Sequence, residues 1–326
     1  MYDSFNRKID YLRFSVTDRC DLRCKYCMPV NMKFTDKKDM LSLLDMKKIV
    51  SVFLKIGFRK IKITGGEPLV RKDIVKFLEF LSKNLKKGTL NEISLSTNGN
   101  LLKKYYLDIV KNNIKRVNVS LDSLIPEKYQ FITNGGKLKN VIDGIQLLKT
   151  QSIKVKINTV LIKKFNDDEL INLILWCSRN KFDISFIETM PLGEISSSRR
   201  LQYFSTEDAK KIINKEFLLK KSGYQTPGPS RYFCSEKLNC KIGFISPISE
   251  NFCQSCNRVR VTSNGILFSC LGHNHSFDMK KYLVAKKINL LQTKVKEIIF
   301  NKPEKHFFKI EDSDTTIKRF MNLTGG

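Results

Sequence analysis

The chain lacks any long apolar run: nowhere do its 326 residues approach the roughly 18 consecutive apolar residues that a membrane-spanning helix needs. Met1 to Asp10 mix charged and polar side chains and hold no apolar signal core. Without a secretory signal, the nine cysteines point to metal binding or reactivity and away from a disulfide framework. Acidic residues are scarce, 32 Asp and Glu against 59 Lys and Arg. The net charge of +27 suits attraction to a polyanion, such as a nucleotide triphosphate or a nucleic acid. The cations are, however, spread along the whole chain, with only short runs such as Arg59-Lys60-Ile61-Lys62 and Lys286-Lys287. Dispersed charge without a recognition motif reads more simply as compositional drift on solvated positions. The expectation is a cytoplasmic protein with neither a membrane nor a nucleic-acid partner.

What is present is an alternation. Between Tyr11 and about Glu216, short β-type runs (Leu12–Val16, Lys60–Ile63, Glu92–Leu95, Arg116–Ser120, Val155–Leu161, Ile184–Glu188) are each followed by an amphipathic stretch. Those stretches are Asp45–Ile56, Lys72–Leu85, Leu101–Asn112, Leu138–Thr150, Asp167–Asn180 and Thr206–Phe217. Apolar residues recur in them three to four positions apart, as in Ile49, Val52, Phe53 and Ile56. Asp45 and Thr206 are the expected N-caps. About six βα units in series predict an α/β fold with a parallel sheet, doubly wound or a partial barrel, whose ligands lie at the C-terminal strand ends. The suggestive residues fall there: the first cysteines after strand one, Gly65-Gly66-Glu67-Pro68 after strand two, Thr97-Asn98-Gly99 after strand three, Ser120 and Asp122 after strand four, and Met190 after strand six. Beyond about Lys221 the alternation stops at a turn-rich junction, Gly223 to Pro229. The expected division is therefore 1–220 and 221–326, the latter ending in a helical, Lys-rich segment from Lys280 to Phe300.

Cys20, Cys24 and Cys27 form a C-x3-C-x2-C set on the loop after strand one. Three thiolates hold three irons of a cubane cluster and leave the fourth iron open. Zinc is the alternative, but structural zinc usually takes four protein ligands in paired C-x2-C form, and no fourth Cys or His lies nearby. With Tyr26 just before the last cysteine, the set resembles the radical S-adenosylmethionine (SAM) signature, and Gly65-Gly66-Glu67-Pro68 resembles the second element of that superfamily. Two glycines there suit close backbone approach to the methionine end of SAM. The resemblance implies an incomplete (β/α)6, TIM-like radical SAM barrel, a [4Fe-4S] cluster whose open iron chelates SAM, and a 5′-deoxyadenosyl radical. It also implies SAM contacts at Tyr26, Gly66, Ser120 and Met190.

Cys253, Cys256 and Cys270 form a C-x2-C-x13-C set. With Gly243-Phe-Ile-Ser-Pro247, Arg258-Val-Arg260, Leu12-Arg13, Val119-Ser120-Leu121-Asp122 and the Gly325-Gly326 terminus, the chain is similar over almost its entire length to GTP 3′,8-cyclases. These radical SAM lyases catalyse the first step of molybdenum cofactor (molybdopterin) biosynthesis, making (8S)-3′,8-cyclo-7,8-dihydroguanosine 5′-triphosphate. The resemblance implies that the smaller C-terminal domain carries a second [4Fe-4S] cluster that binds the guanine ring. GTP contacts are implied at Arg13, Lys62, Ser96, Lys156, Arg258, Val259 (through its backbone) and Arg260, with Gly325 and Gly326 reaching into the active site. Arg258 and Arg260, two apart in an extended segment, face one side and suit phosphate oxygens. Three positions depart from the family pattern: Lys62 for an Arg, Ser96 for a Thr, and Ser185 for an Arg near the substrate pocket. Expected partners are GTP, a reductant for the cluster and a downstream enzyme acting on the product, with a homodimer left open. The rival readings are another auxiliary-cluster radical SAM enzyme and a basic zinc-ribbon nucleic-acid-binding protein.

Overall fold

A computed structural model describes residues 1–193, 199–308 and 317–325. The strands are β1 (Tyr11–Ser15), β2 (Lys60–Thr64), β3 (Glu92–Thr97), β4 (Arg116–Ser120), β5 (Lys154–Leu161), β6 (Asp183–Glu188), β7 (Lys220–Lys221), β8 (Arg231–Cys234), β9 (Ile242–Ile245), β10 (Arg258–Val261), β11 (Ile266–Phe268) and β12 (Phe277–Asp278). They form one sheet in the order β12-β11-β10-β1-β2-β3-β4-β5-β6-β9-β8-β7. From β10 through β9 every neighbouring pair is parallel, and only the two edges turn antiparallel. The first six strands are the expected βα series, an incomplete barrel.

Each strand presents alternate residues to opposite faces. The outward set, including Leu12, Phe14, Ile61, Ile63, Leu95, Val117 and Val119, is buried beneath the helices in one large core. Helix Leu43–Lys55 contributes Ile49, Val50, Val52 and Phe53, and helix Ile74–Lys86 contributes Phe77, Leu78 and Leu81. Phe14 and Phe77 meet ring to ring at 5.7 Å. Each such side chain contributes roughly 1.5–3 kcal/mol by leaving water, which fixes the sheet's outer face and leaves its inner face to chemistry.

Local details differ from the sequence reading. Ser42, not Asp45, caps its helix, and Asp45 is the reciprocal member of a capping box; an acid three residues after a serine takes that place because it reaches back to the cap N–H. Ser205, not Thr206, caps helix Thr206–Glu216, while Thr206 is buried and donates its hydroxyl to Glu188. Helix Pro126–Thr133 was not expected, and the 280–300 segment is two helices, Lys280–Val284 and Ile288–Phe300. The sheet does not divide near residue 220: β9 pairs with β6 and β10 with β1, so the later segment extends both sides of the earlier one. Short strands of three or four residues give too little alternation to be read from sequence.

Candidate functional site

Two cavities open on the inner face of the sheet. The first is lined by Cys20, Cys24 and Cys27 together with Tyr26, Gly65, Gly66, Ser96, Ser120, Met190 and Asn322. The cysteine loop has no regular structure and is held by its neighbours. Arg23 and Lys25 donate their main-chain N–H to Thr133 and Ile132 carbonyls. Asp21 accepts from the side-chain amides of Asn98 (2.7 Å) and Asn100 (2.8 Å). Glu67, fully buried, accepts from the N–H of Leu69 (3.0 Å) and Asn98 (2.7 Å) and from the Thr97 hydroxyl (2.9 Å). That carboxyl, pushed by burial up to about 8, ties the loop after β2 to the loop after β3.

The glycines before it serve the protein itself. A Cβ on Gly65 would strike the Thr17 carbonyl oxygen, and one on Gly66 the carbonyl oxygens of Arg19 and Asp18. The diglycine is therefore needed where the β2 loop presses on the backbone leading into Cys20. Because backbone cannot step aside, Gly66→Ala is expected to destabilise the protein by about 3 kcal/mol. Gly223→Ala, with nothing near its added Cβ, is expected to leave thermal unfolding unchanged, and equal midpoints for the two variants would refute the packing role.

Burial pushes the Cys20 thiol up to about 12, and burial with the neighbouring Cys27 raises Cys24 as well. Such thiols ionise only against a metal. Among the described residues no three Cys, His, Asp or Glu side chains converge as ligands of a single ion would, whereas a cubane places each thiolate on a different iron. Three soft donors, with no further cysteine or histidine among the described residues that line the cavity, fit a cluster with one open iron. Tyr26 donates its hydroxyl to Asp122 at 2.7 Å, and Asp122 also accepts the Val160 N–H at 2.8 Å. Asp122, pushed by burial up to about 6, thus fixes the Tyr26 ring against β4 and β5.

The second cavity is lined by Cys253, Cys256 and Cys270 and by seven cationic side chains, Arg13, Lys62, Arg116, Lys156, Arg258, Arg260 and Lys302. No Asp or Glu among the described residues lines it. Strand register explains the concentration. Arg260 on β10, Arg13 on β1 and Lys62 on β2 are direct neighbours along one rung. Burial, with neighbouring cations, lowers Arg13 to about 10 and brings Lys62 and Arg260 well below their usual values. Arg116 pairs with Glu92, and Lys156 donates to the Tyr232 hydroxyl at 2.9 Å. The Arg258 Nε and the side-chain oxygens of Asn118 and Asn158 are buried without hydrogen-bond partners. A cavity with seven cations and no carboxylate among its described lining is built for a polyanion. At Cys256 burial is outweighed by Arg258 and Lys302, which bring the thiol down to about 6; a thiolate at neutral pH suits a metal ligand. The two cavities share Asn158, Ile187, Met190 and Met321 in their walls.

The C-terminal tail closes over this junction. Gly325 has a φ of +77°, and a Cβ there would strike the Thr64 side chain. Arg260 donates to the carbonyls of Gly325 and, at 3.3 Å, Thr324. Asn322 donates to the Asp18 carbonyl at 2.9 Å. Gly326 lies outside the described residues.

The structure brings most of the expected site residues together. Ser96, expected at the nucleotide, instead lines the cavity beside the cysteine triad. Val259 is fully buried in the core and lines neither cavity. Ser185 lines neither cavity: it is buried and hydrogen-bonded to Ser230 at 2.7 Å, over Gly243. Sequence reasoning missed Arg116, Asn158, Lys302 and Met321. An inward strand position with a polar residue was the available signal for two of them, Arg116 on β4 and Asn158 on β5.

Comparison with known proteins agrees with this geometry. Residues 14–177 match the Radical SAM superfamily model, and residues 182–308 match Molybdenum Cofactor Synthesis C. The GTP 3′,8-cyclases of Brucella ovis and Brucella abortus (strain 2308) are each 44% identical over 329 residues, covering 100% of this chain and 96% of the relative. Among solved structures, Streptococcus suis SuiB bound to S-adenosylmethionine superposes with a TM-score of 0.63 at 17% identity, covering 90% of this chain and 67% of that one, which is a likeness of fold. With cysteine triad, cationic cavity and full-length identity in agreement, the chain belongs to the radical SAM superfamily and, within it, to the GTP 3′,8-cyclase family.

Proposed function

We infer that the chain is a lyase that cyclises GTP to (8S)-3′,8-cyclo-7,8-dihydroguanosine 5′-triphosphate, the first step of molybdenum cofactor biosynthesis. The observation that carries this reading is the shared wall: a cavity holding a cysteine triad abuts a cationic cavity holding a second cysteine set, across Asn158, Ile187, Met190 and Met321. Cys20, Cys24 and Cys27 would hold a [4Fe-4S] cluster, with SAM against Tyr26, Gly66, Ser120 and Met190. When bound, cluster and SAM would supply a 5′-deoxyadenosyl radical able to take the ribose 3′ hydrogen, and bond formation to guanine C8 would require one further electron and a proton, the electron drawn from the reductant.

The chain's residues place and shield that chemistry. Arg13, Lys62, Arg258 and Arg260 line one side of the basic cavity and suit the triphosphate, with Lys156 on the neighbouring wall. Cys253, Cys256 and Cys270 would hold a second [4Fe-4S] cluster, which would offer the purine an open coordination position. The partnerless side-chain oxygen of Asn158 at the shared wall suits a ribose hydroxyl. Ile187, Met190 and Met321 keep water from the space between cofactor and substrate. Loss of an arginine at Ser185 leaves seven cations in the cavity, so triphosphate binding does not depend on it. The reductant, the enzyme that consumes the product and any homodimer belong to the same reading.

Reconstituted protein assayed without oxygen, with SAM, dithionite and GTP, tests it. The expected result is a GTP-dependent rise in 5′-deoxyadenosine together with a cyclised isomer of GTP by mass spectrometry. Deoxyadenosine without any GTP product would retain the radical SAM chemistry and overturn the substrate.

A further inference from the structure

Beside the second cysteine set stand two buried cations: Lys302, one of the seven that line its cavity, and Arg7, outside that cavity. Lys302 is 2% exposed. Its ammonium donates to the carbonyl of Ser269, the residue before Cys270, and it forms no ion pair with a carboxylate among the described residues. An ammonium this deep with one carbonyl for a partner is costly unless an anion shares the site. Lys302 lines the same cavity as Cys253, Cys256 and Cys270, and its hydrogen bond to Ser269 places it one residue from Cys270.

The second cation, Arg7, holds Lys302 in place through the main chain. Its Nη1 donates to the carbonyls of Cys253 (3.0 Å) and Glu304 (2.6 Å), and its Nη2 to those of Pro303 (2.7 Å) and Lys302 (3.3 Å). Asp3, itself buried, takes the Arg7 Nε at 2.6 Å. A single planar guanidinium thus fastens the turn bearing Cys253 to the turn bearing Lys302, and its fork geometry is one a lysine does not reproduce.

We propose that Lys302 is a positioning residue for the second cysteine set, the resident counter-cation of whatever anionic group Cys253, Cys256 and Cys270 carry, held in register by the Asp3–Arg7 pair. This rests on the reading that the set holds a cluster. Removing a fixed positive charge beside such a group disfavours its more negative, reduced form.

The test uses the full chain reconstituted anaerobically as wild type, Lys302→Met and Lys302→Arg. Iron per chain and an EPR-monitored redox titration of each cluster are measured. Lys302→Met is expected either to lose the iron of the second cluster or to keep it at a more negative midpoint potential. Lys302→Arg is expected to restore both properties towards wild type, with the first cluster's signal unchanged in all three proteins. Wild-type iron content and potential in Lys302→Met would overturn the proposal. Equal loss of iron in both variants would also overturn it, since packing and not charge would then be the cause. Wild-type protein that binds iron at the triad alone would overturn the cluster reading itself, a failure distinguishable because it is read without any variant.

Discussion

Cys24→Ser abolishes SAM cleavage to background, and with it all GTP product, whereas Cys253→Ser removes cyclisation but leaves SAM cleavage measurable. The physical ground is the separation of the two cysteine sets into different cavities that meet only through Asn158, Ile187, Met190 and Met321. Cys24 is held by a tight turn, its carbonyl accepting from Cys27 N–H at 2.9 Å and Met28 N–H at 3.2 Å. Its thiol, raised by burial and by Cys27, has no reason to ionise except a metal. A serine hydroxyl is a much harder and less acidic donor than a thiol, so an iron ligand is lost there outright. Cys253 lies on the far side of the shared wall, and its loss leaves the SAM side intact. Both rates come from one anaerobic incubation, 5′-deoxyadenosine by chromatography and the cyclised nucleotide by mass spectrometry. Equal loss of both activities in Cys253→Ser would contradict separate roles for the two sets.

Arg260→Ala lowers kcat/KM for cyclisation by roughly 30- to 5,000-fold, the equivalent of about 2–5 kcal/mol for truncating a buried, hydrogen-bonded charge. Arg260 sits on the cationic rung beside Arg13 and also grips the tail at Gly325 and Thr324. These two duties separate kinetically. Loss of a triphosphate contact raises KM, while a released tail, no longer packed by Gly325 on Thr64, lowers kcat. Arg260→Lys keeps the charge but not the fork, so it recovers KM better than kcat. The free protein is not destabilised, because burial and the charges of Arg13 and Arg258 already disfavour a charged Arg260. Thermal unfolding unchanged or raised, alongside lost activity, is the expected pair of results. Near wild-type kinetics in Arg260→Ala would remove Arg260 from both roles.

The legible part of the fold was the six-unit series. Its strands were long enough to show alternation, and its helices carried apolar residues such as Ile49, Val52 and Phe53 at helical spacing. Boundaries slipped by one to three residues at Ser42 and Ser205, because cap chemistry is shared between the capping residue and the acid three positions on. The C-terminal strands were missed: β9, β10 and β11 are three or four residues long, and what stabilises them is their pairing with β6 and β1, not a local pattern.

For the candidate site, the chain's own order determined the cysteine triad, the Gly65-Gly66-Glu67-Pro68 turn and the Arg258–Arg260 pair, because each is a local constellation whose spacing is its chemistry. Only the tertiary structure decided what those pieces meet. Strand order alone brings Arg260 beside Arg13 and Lys62, and turns three scattered cations into one rung. The crowding at Gly66 comes from the carbonyls of Asp18 and Arg19, which no local pattern announces. Ser185 faces Ser230 instead of a substrate, and Lys302 stands beside the second cysteines, where no motif marks it. Side-chain type and spacing travel with the chain, but which charges face one another in one cavity depends on the pairing of strands far apart in sequence.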